Sequence, residues 1–325
     1  MAHVSLRAVL VGALGASALS VNIAHAQEPL QVVTSFSILD DMVSTIGGDH
    51  VSVTSLVGPD GDAHAFSPKP ADAQSLADAD LIVVNGLQLE GWIDRLIDAS
   101  GYGGEVVVAS NGIDTRSFEG HEDEDEGDHD DHDHQDHATD GEEEHHHHGD
   151  VDPHAWQDLE NGEQYARNIR DALVKADPAH ADAYRANAER YIDEMEALDK
   201  EAKERLSQIP ASDRLIITSH DAFGYFADAY DLELLSPVGI NTLAEPSASD
   251  MGSLIQQIES SHARALFLEN MTNPALINQL HEETGIAIGG TLYADALTAE
   301  GEGSTYLGMF QHNVDTLLDA LEADD

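Results

Sequence analysis

The sequence predicts an α/β protein of two lobes, each with a central, mostly parallel sheet flanked by helices, and one long helix linking the lobes. On both sides of the middle of the 325-residue chain, short apolar strands alternate with helices. This alternation is typical of parallel sheets covered by helices. Between the two halves lies a nearly continuous helix-forming stretch, and the length is sufficient for two domains of ordinary size.

The first 26 residues have the pattern of a secretory signal peptide. Arg7 precedes an apolar and small stretch over 8–20, and Ala24-His25-Ala26 provides an A-x-A cleavage site. A membrane anchor is the alternative, but the apolar run is shorter than the roughly 20 residues that a bilayer crossing needs. We therefore expect cleavage after Ala26 and a periplasmic mature protein.

The sequence contains no cysteine. A thioether-linked lipid anchor, disulfides and thiolate metal sites are therefore excluded, which leaves imidazole and carboxylate as the strong metal ligands.

The N-terminal lobe is expected over 27–177. Apolar runs predict its strands, and amphipathic or Ala-rich spacing predicts its helices. The strands are expected over 30–34, 51–57, 81–85 and 105–109. The helices are expected over 38–46 and 92–97, with a further Ala-rich helix between them that ends near residue 78.

Within this lobe, residues 119–150 consist almost entirely of Glu, Asp, Gly and His. We expect a disordered loop because it has no large apolar side chain to bury. Its histidines and acids favour a flexible, low-affinity metal collector over a solvated spacer. The nine histidines of this auxiliary site are His121, His129, His132, His134, His137, His145, His146, His147 and His148.

A linking helix is expected over 178–209. Its segment 179–206 has apolar residues at helical spacing and, if fully helical, would be about 40 Å long at 1.5 Å per residue. The C-terminal lobe, 210–325, repeats the strand and helix alternation. Its strands are expected over 215–218, 234–238, 265–268 and 286–288, and its helices over 222–230, 251–258, 274–283 and 306–321.

The formal net charge is −49. Outside 119–152 the mature chain still has 46 acids and 13 bases, so the folded part is itself acidic. Such a surface repels nucleic acid and anionic lipid, and self-repulsion predicts a protein that is more stable in salt.

Three histidines follow predicted strands or lie in the loops beyond them, where ligand sites form in open α/β sheets. They are His64, His154 and His220. Each alone has the pattern of a structural histidine, but together in a secreted chain without cysteine they indicate a shared site. Three imidazoles with a carboxylate or water form a tetrahedral zinc set.

Asp295 follows the last strand and is the candidate fourth ligand, with a loop-capping role as its alternative. The remaining histidines are interpreted as surface residues: His50, His180, His262, His281 and His312.

Several segments together resemble the cluster A-I (cluster 9) metal-binding proteins of ABC transporters, and within them the zinc-uptake branch. The resemblance covers essentially the whole mature chain. It is carried by GDAHAFSP at 61–68, DPHAW at 152–156, SHDAFGYF at 219–226, AEPS at 244–247 with FLE at 267–269, and YADAL at 293–297.

The resemblance implies two lobes joined by one long helix, with the metal between them. His64, His154 and His220 would be ligands, with Asp295 or water fourth. Manganese-type relatives usually have Glu at the position of His220, and zinc-type relatives often carry a His- and acid-rich insertion. Ala63 departs from the Pro that many relatives have before the first histidine.

We therefore expect a monomeric periplasmic Zn²⁺-binding component of an ABC-type zinc uptake transporter, with a membrane permease and its cytoplasmic ATPase as partners. The protein would capture and deliver the ion without catalysing a reaction. The alternatives are a component for manganese or another divalent metal, an extracytoplasmic zinc buffer, and a zinc hydrolase. The hydrolase is disfavoured because the chain has no H-E-x-x-H helix.

Overall fold

The computed structural model describes residues 28–117, 151–239, 242, 246–261 and 263–321. The predicted signal peptide over 1–26 and the predicted disordered loop over 119–150 lie outside these residues. No helix in the described part of the chain is long and apolar enough to cross a membrane.

The elements of the N-terminal lobe are β1 Leu30–Phe36, α1 Ser37–Gly47, β2 Val51–Val57, α2 Pro70–Ala77, β3 Leu81–Val84, α3 Ile93–Ser100 and β4 Glu105–Val108. The four strands form a parallel sheet in the order β2-β1-β3-β4. The central strand β1 is almost completely buried, and its Val32 pairs with Val53 on one side and Leu81 on the other.

Two long helices follow the sheet, α4 Leu159–Ala176 and α5 Ala181–Leu206. A short 3-10 turn at Pro178–His180 separates them because proline cannot continue the preceding helix. The helix α5 packs against α1 of the first lobe. At 26 residues it is about 39 Å long, which agrees with the predicted linking helix.

The elements of the C-terminal lobe are β5 Leu215–Ile217, α6 Gly224–Tyr230, β6 Glu233–Leu235, α7 Ala248–Ser260, β7 Ala265–Glu269, α8 Ala275–Thr284, β8 Ala287–Leu292 and α9 Tyr306–Leu321. This lobe repeats the topology of the first, with a parallel sheet in the order β6-β5-β7-β8. Its last helix, α9, also packs on α5.

The predicted fold class is confirmed: two lobes, each with a parallel four-stranded sheet flanked by helices, are connected through one long helix. The larger hydrophobic core extends from the first sheet through α4 and α5 to α9, and a smaller core lies beneath α7 and α8. The exact domain boundaries predicted from the sequence stay a prediction.

Candidate metal centre

Four side chains from distant parts of the chain meet between the lobes. They are His64, His154, His220 and Asp295, and one ligand atom from each lies within 4.8 Å of all the others. The side chain of His64 is 5% exposed, and the other three are at most 1% exposed. The four residues predicted as ligands are therefore brought together in a nearly closed site.

The three histidine Nε2 atoms surround the Asp295 carboxylate. Its Oδ2 lies 3.3 Å from Nε2 of His64 and 3.2 Å from Nε2 of His220, and its Oδ1 lies 3.6 Å from Nε2 of His154. The Nε2 atoms of His64 and His154 are 3.2 Å apart. A tetrahedral ion with bonds of 2.0–2.1 Å separates its ligand atoms by about 3.3 Å, so the spacing fits such an ion.

Asp295 Oδ1 is buried and has no hydrogen-bond partner. A buried carboxylate oxygen without a partner is costly. A cation between the three rings would provide the missing contact.

His64 lies in the loop that follows β2. The Asp62 side chain shapes this loop, because its Oδ1 accepts from the backbone N–H of His64 at 2.8 Å and of Ala65 at 3.1 Å. The loop thus directs the His64 ring towards the cleft from the end of the first sheet.

His154 lies in the turn before α4, and Asp152 orients it. Asp152 Oδ1 accepts from Nδ1 of His154 at 2.8 Å and from its backbone N–H at 3.0 Å. Because an ionised carboxylate only accepts, the ring proton resides on Nδ1 and Nε2 has a free lone pair.

His220 follows β5, and Glu269 at the end of β7 holds its Nδ1. The same carboxylate accepts from the backbone N–H of Ser219 at 2.8 Å and of His220 at 3.0 Å. The adjacent parallel strands place Glu269 behind the ring, so that Nε2 again faces the cleft.

The Asp295 segment belongs to the second lobe but is fastened to the first. Trp156 Nε1 and Gln157 Nε2 donate to the carbonyl of Ala294 at 3.0 and 2.8 Å. The backbone N–H of Leu297 donates to Ser37 Oγ at 2.9 Å. These bonds fix the loop on both sides of the carboxylate.

The electrostatics of the site favour a divalent cation. Burial opposes the charged form of Asp295, but the histidines outweigh it and hold its pKa well below the usual range. Burial also opposes a charged His220 ring, but Glu269 and Asp295 raise its pKa well above the ordinary value. With neutral histidines, Asp152, Glu269 and Asp295 contribute three buried carboxylates and Arg116 pairs with the first of them, so the site has a net negative charge that suits a cation.

The other histidines of the described residues do not belong to the cluster of ligand atoms. The nine histidines between 121 and 148, and His262, lie outside the described residues. The rings of His50 and His180 stack at a centroid distance of 3.8 Å, and His312 stacks on Tyr293 at 4.3 Å. Interpreting these three as ordinary surface residues missed their packing.

Sequence reasoning also missed the residues behind the ligands. Asp152 and Glu269 lie in the segments that carry the family resemblance, but the resemblance as stated assigns roles only to the ligands. The spacing of Asp152 two residues before His154 was a usable signal. The contact of Glu269 with His220 has no comparable signal in the sequence, because 49 residues separate the two in the chain.

The chain is similar to known metal-binding proteins along most of its length. The family model described as zinc-uptake complex component A, periplasmic, matches residues 32–320. The manganese-binding lipoprotein MntA of Halalkalibacterium halodurans is 33% identical over 295 residues, which cover 90% of this chain and 89% of the relative. The manganese ABC transporter substrate-binding lipoprotein PsaA of Streptococcus anginosus is 30% identical over 301 residues, 90% of each chain.

Solved structures share the fold. The periplasmic zinc binding protein TroA from Treponema pallidum matches with a TM-score of 0.78 at 28% identity, over 90% of this chain and 99% of that one. A Mn-bound periplasmic metal binding protein from Candidatus Liberibacter asiaticus matches with a TM-score of 0.75 at 28% identity and the same coverage.

Proposed function

Because this chain belongs to the family of periplasmic zinc-uptake components A, the metal-binding components of ABC transporters, we propose that its cargo is zinc held by His64, His154, His220 and Asp295. The family is one of transport proteins and not of enzymes, which removes the hydrolase alternative. The protein binds a divalent metal outside the cytoplasm and has an ABC permease and ATPase as partners.

The observation that carries the zinc proposal is the donor set, three buried imidazole nitrogens around one carboxylate. Imidazole suits zinc, whereas manganese prefers oxygen ligands. In the general order of divalent affinities, zinc binds N and O sites more tightly than manganese does. We therefore expect tighter zinc binding in direct competition.

Manganese is the second candidate cargo, and the relatives favour it. Both relatives named above are called manganese proteins, and one matched structure is Mn-bound. The unpartnered Oδ1 of Asp295 would allow the carboxylate to offer both oxygens to a metal with a preference for oxygen. Zinc in the test tube and manganese in the cell are compatible, since metal availability also determines which ion is bound.

Two further features belong to this proposal. The relatives are named lipoproteins, whereas this sequence has no cysteine. We propose a monomer that is released into the periplasm by cleavage after Ala26. We also propose that the histidines between 121 and 148 bind additional zinc weakly.

Metal titration of untagged, metal-free protein tests the assignment. Zinc and manganese are titrated separately in competition with chelators, using the full chain, His64→Ala and a variant lacking 119–149. We expect the deletion to lower the zinc stoichiometry and keep the tightest site, and His64→Ala to weaken that site. The reverse pattern would contradict this division of labour.

His220→Glu tests the choice of metal, with the exposed His281→Glu as the matched control. Replacing an imidazole by a carboxylate should lower the preference for zinc over manganese, and the control should leave it unchanged. Elemental analysis of protein isolated from its own cells then identifies the cargo. Manganese without zinc in that protein would replace zinc as the cargo.

A further inference from the structure

Arg116 lies at the junction of the two lobes and contacts a carboxylate on each side. Its Nη1 donates to Asp152 Oδ2 at 3.3 Å, and its Nε donates to Asp228 Oδ2 at 3.0 Å. Asp152 belongs to the segment before α4 and is fully buried, whereas Asp228 lies on α6 and is 68% exposed. One guanidinium therefore joins the first lobe to a helix of the second.

The backbone strengthens the same junction. The Arg116 carbonyl accepts from the backbone N–H of Asp152 at 3.0 Å. The Tyr225 hydroxyl accepts from the Arg116 N–H at 2.9 Å and donates to the Asp152 carbonyl at 3.0 Å. Arg116 and Asp152 are thus held together, and a side chain of α6 bridges them.

Gly224, the first residue of α6, allows this close approach. A Cβ on Gly224 would lie 2.4 Å from Arg116 Nη1 and 2.7 Å from Asp152 Oδ2. The ion pair therefore rests directly on the backbone of α6, and a displacement of this helix would press on both partners.

The two oxygens of Asp152 have separate tasks. Oδ1 holds Nδ1 and the backbone N–H of His154, while Oδ2 faces Arg116. A carboxylate fixed at both oxygens cannot turn away from the ring, so its position sets the direction of His154 Nε2.

We infer that Arg116 is a positioning residue of the metal site, which holds Asp152 and thereby His154 in line with the ligands of the second lobe. This inference rests on the proposed function. Arg116 would thereby slow the loss of the metal. If α6 moved away from the first lobe, the contacts of Arg116 would break and Asp152 would hold His154 less firmly.

The test uses the full-length protein and four variants: Arg116→Gln, Arg116→Lys, Asp228→Asn and, as the matched control, Asp231→Asn. Asp231 is also exposed, follows the same helix and pairs with Arg214 away from the ligands. Zinc dissociation is followed after mixing loaded protein with excess chelator. The visible spectrum of the Co²⁺-loaded protein reports the ligand geometry.

For Arg116→Gln we expect dissociation to be about 10–100-fold faster, together with a changed Co²⁺ spectrum. Arg116→Lys keeps the positive charge but not the planar guanidinium group with its several donors, so its dissociation rate should lie between those of the wild type and Arg116→Gln. Asp228→Asn should accelerate dissociation about threefold, as expected for a partly exposed ion pair, and Asp231→Asn should have no effect.

Arg116→Gln dissociating within twofold of the wild type with an unchanged spectrum would overturn the inference. If that variant does not fold, Asp228→Asn decides, because its side chain is exposed; equal rates for Asp228→Asn and Asp231→Asn would then overturn it. Failure of the proposed function is distinguishable: manganese in protein isolated from its own cells would change the cargo without changing these rate ratios, and a wild-type protein that does not retain zinc would contradict the metal site itself.

Discussion

Glu269 holds His220 from the neighbouring strand of the second sheet, and the same carboxylate accepts the backbone N–H groups of residues 219 and 220. Asp152 holds His154 in the same way within a single turn of the first lobe. Each lobe therefore contributes one histidine with its own buried carboxylate. Such partners fix the ring orientation and increase the donor strength of the metal-bound nitrogen.

We predict that Glu269→Gln lowers zinc affinity about 10–100-fold, the usual effect of removing a carboxylate behind a metal-binding histidine. The glutamine keeps the shape and an acceptor for the backbone N–H groups, so the fold should survive. Competition titration measures the change. Glu259→Gln, at an exposed position on α7 of the same lobe, should bind zinc like the wild type. Wild-type affinity in a folded Glu269→Gln protein would contradict the role of this residue.

Zinc binding should release a proton at neutral pH. The pKa of His220 is raised well above its ordinary value, because Glu269 and Asp295 outweigh the effect of burial. The metal-free protein therefore holds a proton on this ring that zinc must displace. Calorimetry in buffers of different ionisation enthalpy should show a binding enthalpy that varies with the buffer. An enthalpy that is independent of the buffer at pH 7.5 would exclude the displaced proton.

The same shift predicts opposite pH trends for stability and affinity. A folded-state pKa above the unfolded value contributes stability that is fully present below the ordinary pKa of histidine and is lost as the pH rises through the folded pKa. The metal-free protein should lose this contribution with rising pH while its zinc affinity increases. Melting curves with and without zinc, recorded from the ordinary pKa of histidine upwards, measure both trends. The control His281→Asn, at an exposed position, should show the same two trends as the wild type.

Salt should stabilise the protein. The formal net charge is −49, and acids outnumber bases well beyond the His-rich segment, so screening should relieve repulsion in the folded state. We expect the melting temperature of the metal-free protein to rise between low salt and about 1 M NaCl. Melts in a chelating buffer exclude a contribution from trace metal. A melting temperature that is constant or falls with salt would show that repulsion does not limit stability.

The sequence pattern sufficed for the fold class and for the residues that meet at the site, because parallel strands carry their loops to one edge of each sheet. It did not suffice for Arg116, whose partners Asp152 and Asp228 come from two lobes. No local spacing encodes contacts across such a junction.

The C-terminal end of strand β8 differs from the end that the sequence predicts. The predicted strand stopped at 288, before two glycines, but β8 runs over Ala287–Leu292. A Cβ on Gly289 would lie 2.6 Å from the Ala320 Cβ and 2.9 Å from the Ala265 Cβ. This glycine is required by the close packing of α9 on the sheet, and only the tertiary structure distinguishes this from a chain break.

Asp158 begins α4, where its carboxylate accepts from the backbone N–H of Glu160 at 2.9 Å. Burial raises its pKa to about 6, and the charges of Glu160 and Asp199 add to the effect. A carboxyl group with a folded pKa above its unfolded value costs no stability below the unfolded pKa near 4, and its full cost applies above the folded pKa. The ionised form therefore destabilises the protein at pH 8.

We predict that Asp158→Asn stabilises the metal-free protein by about 1 kcal/mol at pH 8, and by less at pH 5 where the wild-type carboxyl group is mostly protonated. Asparagine is as good a helix N-cap as aspartate, so the cap is kept while the buried charge is removed. Urea unfolding at both pH values measures the difference. Asp182→Asn, at a fully exposed position in the first turn of α5, should show no such dependence on pH. A less stable Asp158→Asn protein at pH 8 would mean that attraction to Lys203 and to the helix dipole outweighs burial.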